Sequence, residues 1–264
     1  MMGWRNASDL LRADRSAAKP CIQLDARLKR LLYPLRHTPL HPQWLVYLGE
    51  TCSKRSTAEL MRGRVLDVGC GDGWLAQALP EDVEYLGFDY PVTLAKGYRG
   101  RAAVLGSADR LPFADASFDT VAMLDVLEHL AQPAMAVSEA RRVLRPGGRL
   151  ILQVPFLYPL HDVPHDFQRW TRIGLERLVE SHGLAMRRCA TTGKPLETAA
   201  ALQSIGLARA ILDVTAQKSW SILLLPLLAL SIPVVNLLGW ALSRLLPDND
   251  FMPLGYRIMA EKPR

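Results

Sequence analysis

The sequence is poor in cysteine, and none of its cysteines form a pair with metal-ligand spacing. The four cysteines are scattered over 264 residues without a C-x-x-C motif. This pattern argues against a structural zinc site and against a disulfide framework, and it favours a reducing compartment. The N-terminal segment 1–30 also lacks the apolar run of a signal peptide. These absences together predict a cytoplasmic protein.

Acidic residues are scarce at the N-terminal end. Of the net charge of +6, residues 1–37 contribute +5, with eight Lys and Arg against three Asp. Such a segment predicts an anionic neighbour, either a membrane surface or phosphates, or else a solvated basic face. Nucleic acid is not expected as a partner, because aromatic residues do not interleave with the basic ones and no RNA-binding module follows. Residues 1–62 are predicted to form a basic helical cap.

A glycine turn follows the first apolar run. Val65–Val68 has the composition of a buried parallel strand, and Gly69, Gly71 and Gly73 separate it from a helical pattern. Glycines let a backbone approach a ligand closely. The third glycine comes one residue too early for a dinucleotide fingerprint. Asp67 would repel a pyrophosphate and suits a ligand with an ammonium group, although a purely structural turn has the same pattern.

Strand and helix patterns alternate from residue 64 onward. This alternation predicts an α/β fold: a seven-stranded, mostly parallel Rossmann-like sheet with helices on both faces. Strands are predicted at 64–68, 83–88, 102–105, 118–124, 148–154, 184–190 and 255–261, and helices at 73–79, 92–97, 133–144 and 171–182. The predicted core comprises residues 63–190 and 255–264.

An acidic residue stands at the end of each of the first four strands. Asp89 follows Gly69 at the distance along the chain where a carboxylate accepts both ribose hydroxyls. Asp67, Asp109 and Asp125 occupy the corresponding places of the other strands. Ligands bind outside the carboxyl ends of parallel strands, so the four form one candidate site. Each alone is equally compatible with a helix cap or a solvated turn.

Residues 64–154 resemble a class I S-adenosylmethionine-dependent methyltransferase of the type 11 group. The resemblance rests on the segments 65–73 (VLDVGCGDG), 87–90 (GFDY), 108–113 (ADRLPF), 117–121 (SFDTV), 126–130 (VLEHL) and 144–148 (LRPGG). It implies a bound S-adenosylmethionine, and residues 255–263 resemble the last, antiparallel strand of that family. The cofactor-binding residues it implies are Asp67, Gly69, Cys70, Gly71, Gly73, Asp89, Tyr90, Ala108, Asp109 and Asp125.

The loop at 155–171 is rich in titratable residues. His161, Asp162, His165, Asp166 and Arg169 fall within nine positions after the fifth strand. Either His–Asp neighbour pair is a candidate general base, with the carboxylate orienting the imidazole. Arg169, with Tyr158, is a candidate for binding the acceptor. A hydrogen-bonded loop that closes the pocket is the structural alternative. A metal site built from the two histidines and the aspartates is the least favoured alternative, and no metal is expected.

An apolar insert is predicted between the last two strands, over residues 191–254. Its segment Trp220–Ser243 carries no charge and is long enough to span a membrane, but Pro226, Pro233 and Asn236 interrupt it. A chain that returns to a cytoplasmic sheet cannot cross the membrane once only, so a re-entrant or interfacial hairpin is expected. A soluble lid over an apolar acceptor is the alternative.

These features together predict a methyltransferase at the inner face of the cytoplasmic membrane. The expected reaction is O-methylation of a glycan or an isoprenoid-lipid acceptor. The alternatives are a methyltransferase of a soluble metabolite, such as a polyketide or quinone precursor, and a non-catalytic S-adenosylmethionine-binding protein.

Overall fold

The computed structural model describes residues 33–91, 102–217 and 220–264. The basic segment 1–32 and the helix predicted at 92–97 lie outside these residues. The described chain divides into two compact units: residues 50–194 with 249–264, which we call the core unit, and residues 33–49 with 195–248, which we call the helical unit. The domain boundaries at 62 and 190 stay a prediction. The two compact units divide at different residues, after Gly49 and after Lys194.

The core unit contains one seven-stranded sheet. Its strands are β1 (Arg64–Val68), β2 (Glu84–Asp89), β3 (Ala102–Leu105), β4 (Phe118–Leu124), β5 (Leu144–Pro155), β6 (Ala185–Thr192) and β7 (Gly255–Glu261). Their order is β3-β2-β1-β4-β5-β7-β6. Only β7 runs antiparallel to its two neighbours, β5 and β6, which confirms the predicted mostly parallel α/β sheet.

Helices cover both faces of this sheet. They are α2 (Glu50–Ala58), α3 (Trp74–Ala78), α4 (Pro133–Val143) and α5 (Arg172–Ser181). Leu66 and Val68 of β1 pack in the same cluster as α4 and α5, whereas Val65 packs on the opposite side with α2 and α3. Successive strand residues alternate between faces, so this double burial explains the continuous apolar run that marks β1 in the sequence.

Local sequence signals set the helix ends. Pro133 begins α4, where a missing backbone N–H costs nothing. The Thr171 side chain caps α5 by accepting a hydrogen bond from the Gly174 N–H at 3.0 Å. The fifth strand starts earlier than predicted: Leu144 already pairs with Phe118, and the Gly147-Gly148 turn forms an irregularity within it.

The helical unit consists of α1 (Trp44–Leu48), α6 (Pro195–Gln217) and α7 (Leu225–Leu245), with a 3₁₀ turn at Trp220–Leu224. Helices α6 and α7 pack closely, and a Cβ on Gly239 would lie 2.3 Å from the Ala200 Cβ. Both helices are long and apolar enough to cross a membrane, by length and composition alone. Pro226 stands in the first turn of α7 and Pro233 inside it, so the prolines do not end this helix.

Candidate functional site

The glycine turn after β1 adopts a backbone that only glycine accepts easily. Gly69, Gly71 and Gly73 all have positive φ angles, of 77°, 51° and 75°. A Cβ on Gly69 would lie 2.3 Å from a methyl carbon of Val126. The Gly69 and Cys70 amides donate to the Phe88 carbonyl at 2.8 and 3.2 Å, which joins the turn to the end of β2. The sequence signal at this turn therefore reflects a real packing constraint.

Asp89 connects the ends of β1 and β2. Its buried carboxylate accepts hydrogen bonds from the Gly71 N–H at 2.8 Å and from the Tyr90 N–H at 2.7 Å. The Cys70 thiol lies 3.8 Å from the same carboxylate. Tyr90 itself is exposed. Asp89, the glycine turn, Cys70 and Tyr90 are thus brought together, as the sequence predicts for one binding site.

Asp67 is a buried carboxylate whose hydrogen-bond partner is a neutral phenol. The Tyr85 hydroxyl donates to it at 2.8 Å. Burial raises the pKa of Asp67 to about 7, although the Tyr85 hydrogen bond opposes the shift. Burial likewise raises the pKa of the Cys70 thiol to about 12, so this thiol stays protonated near neutral pH. A cation beside Asp67 would remove much of the cost of ionising it.

The remaining strand-end residues have different environments. Ala108 is buried and Asp109 is partly exposed, after Gly106, whose amide donates to the Asp89 carbonyl at 3.0 Å. Asp125 has a positive φ of 57° and accepts a hydrogen bond from the Gln153 side chain at 2.8 Å. Asp125 is exposed as a residue. Desolvation of its carboxyl group and the nearby Glu128 raise its pKa to about 7.

These features fit the cofactor that the resemblance implies. S-adenosylmethionine carries an ammonium group, a ribose diol and an adenine, and the site offers a buried carboxylate without a cationic partner, a second carboxylate at the next strand end and a close-approach glycine turn. The S-adenosylmethionine contacts of the individual residues stay a prediction.

The loop after β5 pairs its residues differently from the sequence expectation. Asp166 contacts His161 and not its neighbour His165: the His161 N–H donates to it at 2.9 Å, and the His161 Nδ1 lies 3.3 Å away. Asp162 and His165 have exposed side chains. The expected pairs His165–Asp166 and His161–Asp162 are therefore corrected to one pair, His161–Asp166. Side chains of adjacent loop residues diverge, whereas the loop folds back to bring positions 161 and 166 together.

Arg169 is committed to the loop itself. Its guanidinium forms a bidentate ion pair with Asp166 and also donates to the carbonyls of Tyr158, Pro159 and Gln168. This pairing lowers the pKa of Asp166 to about 2. The Tyr158 ring packs edge-on against His161, with centroids 5.5 Å apart. These contacts of Arg169 all lie within the loop. An acceptor-binding role for Arg169 or Tyr158 stays a prediction.

Two residues without a role in the sequence-based prediction, Glu128 and His129, lie beside His161. The Glu128 carboxylate is 3.7 Å from the Nε2 atoms of both histidines, and it raises the pKa of His161. The loop docks on this segment through the Phe167 N–H, which donates to the Glu128 carbonyl at 2.9 Å. The sequence signal that could have found Glu128 and His129 is their position shortly after β4, at the end of the sheet where ligands bind.

Comparison with known proteins supports this assignment. Residues 66–152 match the family model described as a methyltransferase domain. A demethylmenaquinone methyltransferase of Beutenbergia cavernae is 42% identical over 94 residues, which cover 34% of this chain and 39% of that protein. A ubiquinone biosynthesis O-methyltransferase of Xylella fastidiosa is 33% identical over 127 residues, 43% of this chain and 49% of that protein. The chain thus matches less than half the length of these relatives.

A solved structure extends the likeness to most of the chain. The crystal structure of a SAM-dependent methyltransferase from Thermotoga maritima has a TM-score of 0.52 at 18% identity, and the match covers 89% of this chain and 96% of that one. At this identity the match shows the fold. The fold, the glycine turn with its strand-end carboxylates, and the family match lead to one conclusion: the chain contains a class I S-adenosylmethionine-dependent methyltransferase domain, whose cofactor is S-adenosylmethionine.

Proposed function

We propose that this protein transfers a methyl group from S-adenosylmethionine to a hydroxyl oxygen of an acceptor held at a membrane surface. The observation that carries the transferase part is the joining of Asp89 to the glycine turn, beside the buried Asp67. Bound S-adenosylmethionine supplies an electrophilic sulfonium methyl group. The chain's own task is to align the acceptor behind that methyl group and to exclude water.

Cofactor binding is tested by calorimetry on the Asp89→Ala variant. Asp89 would accept the ribose hydroxyls, and hydrogen bonds to a charged group contribute about 1.5–3 kcal/mol. We expect the variant to bind S-adenosylmethionine roughly tenfold to a hundredfold more weakly. Asp82→Ala, at an exposed aspartate before β2, is the matched control and should bind normally. Equal affinity of both variants would remove Asp89 from the binding site.

A hydroxyl acceptor needs a group that takes its proton. The loop histidines His161 and His165 remain the candidates, with Asp166 orienting His161. We expect His165→Ala to lose most of its turnover and to keep its affinity for the cofactor. Full activity in this variant would show that His165 serves only the loop.

The membrane part of the proposal rests on the helical unit. A stripe of apolar side chains on and before α7 is solvent-exposed, with Leu223 at 80%, Leu227 at 64% and Leu230 at 67%. The stripe continues in helical steps to Val234, Leu238 and Leu245. A contiguous apolar surface of this kind is typical of a membrane or protein contact. We assign it to the membrane because α6 and α7 are long and apolar enough to cross one, and because an isoprenoid lipid is one of the predicted acceptors.

Sedimentation with anionic lipid vesicles tests this contact. Burying one leucine in hydrocarbon contributes about 1.5–3 kcal/mol. The double variant Leu227→Glu/Leu230→Glu should therefore lose at least roughly tenfold in vesicle binding. The control, Ile173→Glu, makes the same change at a 64% exposed position of α5 and should bind as the wild type does. A wild-type protein that stays in the supernatant would overturn the membrane assignment.

A quinone precursor is the second candidate acceptor, since two relatives are named as demethylmenaquinone and ubiquinone methyltransferases. Mass spectrometry of lipid, glycan and quinone extracts distinguishes the two. Extracts from cells with and without the chain should differ by the mass of one CH₂ group in a single compound class. A change confined to compounds other than lipids, glycans and quinone precursors would contradict both candidate acceptors.

A further inference from the structure

We propose that Glu128, His129 and His161 form a binding site for a divalent transition-metal ion, with zinc as the best-suited ion. The three residues offer one ligand atom each, and these atoms all lie within 4.8 Å of one another. The site belongs to the core unit, with Glu128 and His129 after β4 and His161 in the loop after β5. No metal was expected from the sequence. Two histidines and one carboxylate are a donor set that zinc and other first-row metals use in catalytic sites.

The spacing of the ligand atoms suits a small ion. The Nε2 atoms of His129 and His161 each lie 3.7 Å from the Glu128 Oε1. Ligand bonds of about 2.1 Å in a tetrahedral arrangement place neighbouring ligand atoms about 3.4 Å apart. A small rotation of either imidazole would therefore close the site around an ion. The observed separation is too long for a direct hydrogen bond between carboxylate and imidazole.

Glu128 has no hydrogen-bond partner among the described residues that would explain its burial, and its nearest charge partners are the two histidine Nε2 atoms at 3.7 Å. Its side chain is fully buried, and neither carboxylate oxygen has a hydrogen-bond partner among the described residues. A buried carboxylate without hydrogen bonds costs several kcal/mol, so natural proteins give such a group a close partner or use it to coordinate a metal. A bound cation between Glu128 and the two histidines would remove this cost.

Both imidazoles are held in the orientation that metal ligation requires. The His129 Nδ1 lies 2.8 Å from the His165 carbonyl oxygen, which can only accept a hydrogen bond. Nδ1 must therefore carry the proton, and the lone pair of a neutral His129 is on Nε2, the atom near Glu128. The His161 Nδ1 lies 3.3 Å from both the Pro159 carbonyl and the Asp166 carboxylate, which can accept its proton, and 3.5 Å from the Arg169 guanidinium. Such outer partners of Nδ1 are typical of metal-binding histidines.

The Asp166–Arg169 ion pair makes the position of His161 rigid. Asp166 also accepts the His161 N–H, and Arg169 donates to the Pro159 carbonyl at 3.1 Å. We therefore assign Asp166 and Arg169 a positioning role for the metal ligand. This role explains why two charged residues of the loop direct their hydrogen bonds to the loop itself.

The site keeps one side open. The side chains of His129 and His161 are 22% and 29% exposed, so three protein ligands leave a coordination position that an outside oxygen can reach. Resting on the proposed function, we infer that this position takes an oxygen of the acceptor, whose hydroxyl proton is lost more easily when the oxygen is bound to a metal. His161 is then a ligand and not the base, so His165 remains the candidate base.

Metal content and metal titration test the site without an activity assay. The full-length protein, purified without added chelator, should contain about one equivalent of zinc by inductively coupled plasma mass spectrometry. After chelator treatment, competition titration with zinc should show one site. A cobalt-loaded sample should show the visible absorption of low-coordinate cobalt. Glu128→Gln and His161→Gln should each weaken zinc binding at least tenfold.

His165→Ala is the matched control, since it removes a neighbouring exposed histidine and keeps the backbone carbonyl that orients His129. It should bind zinc as the wild type does. If Glu128→Gln fails to fold, His129→Gln replaces it, with circular dichroism as the check on folding. Absence of bound zinc, or equal binding by the ligand variants and the control, would overturn the site. Calorimetry with S-adenosylmethionine on the same samples reports the proposed function separately.

Discussion

We expect the buried carboxylate of Asp67 to make the affinity for S-adenosylmethionine dependent on pH. In the free protein burial raises its pKa to about 7. An ammonium group of the ligand beside it would lower this pKa by about 1–3 units. Complex formation then releases a proton between the two pKa values, so affinity rises as the pH rises through that window and falls as the pH falls below 7.

The size of the effect follows from the ionised fractions. With a pKa of about 7, roughly three quarters of the Asp67 carboxylates are ionised at pH 7.5 and about 3% at pH 5.5. If the pKa in the complex is about 5, the affinity at pH 7.5 exceeds that at pH 5.5 about twentyfold. This range also avoids most of the titration of the ligand's own amino group, whose pKa is about 7.7–8.0.

Calorimetry at five pH values between 5.5 and 7.5 measures this dependence, and two variants isolate its origin. Asp67→Asn should bind weakly with a nearly flat pH profile. Tyr85→Phe removes the hydrogen bond that opposes the pKa shift, so its profile should move to higher pH. A flat wild-type profile, or an unchanged slope in Asp67→Asn, would refute a contact between Asp67 and the ligand's ammonium group.

Three further outcomes are expected. Gly69→Ala should lower the free energy of unfolding by about 2–4 kcal/mol in urea titrations, because it combines a positive φ with a clash against Val126. Adding Val126→Ala should restore part of this loss. Additive effects of the two substitutions would contradict the clash. Asn236→Ala should cost about 2–4 kcal/mol by the same measurement, because it removes the three hydrogen bonds of a buried side chain. By contrast, Ser231→Ala at a half-buried position of α7 should stay within about 0.5 kcal/mol. In chelator-treated protein, Glu128→Gln should raise the melting temperature, because it removes a buried charge that has no hydrogen-bond partner in the described part of the chain. A lowered melting temperature would indicate that Glu128 is stabilised by an ion pair with the two histidines.

The sheet was predictable because its signals are local. Strands β1 and β4 both occupy the predicted residues. Strands buried on both faces are continuous apolar runs, which are easy to locate in a sequence. The glycine turn at Gly69 and Gly71 was likewise expected from its place between strand and helix, and both glycines have positive φ angles. In each case a few neighbouring residues carry both the pattern and its physical cause.

The arrangement of the loop after β5 was not predictable in the same way. Adjacent residues such as His165 and Asp166 suggest a pair, but the loop places Asp166 against Arg169 and His161. The convergence of His161 with Glu128 depends on docking of one loop upon another, through the Phe167 N–H and the Glu128 carbonyl. Contacts between segments that lie far apart in the chain leave no periodicity in the sequence.

The charges of the helical unit bear on how deeply it would enter a membrane under the proposed function. Arg209 and Asp213 form an exposed ion pair on α6, at 2.9 Å, with side chains 54% and 40% exposed. A hairpin that crossed the bilayer would place this pair in or near hydrocarbon, where a charged residue costs about 2.5–3.5 kcal/mol even on the most lenient scales. Buried Glu197, by contrast, is paired with Arg244 and Ser243 between the helices.

An interfacial position satisfies both observations. The exposed leucines of α7 can enter the apolar phase while the Arg209–Asp213 pair stays in water. A cysteine introduced at Arg209 should therefore react with a membrane-impermeant maleimide in the presence of vesicles as fast as in their absence, whereas a cysteine at Leu230 should become protected. Protection at both positions would indicate a spanning hairpin, because only that arrangement carries the α6 ion pair out of water.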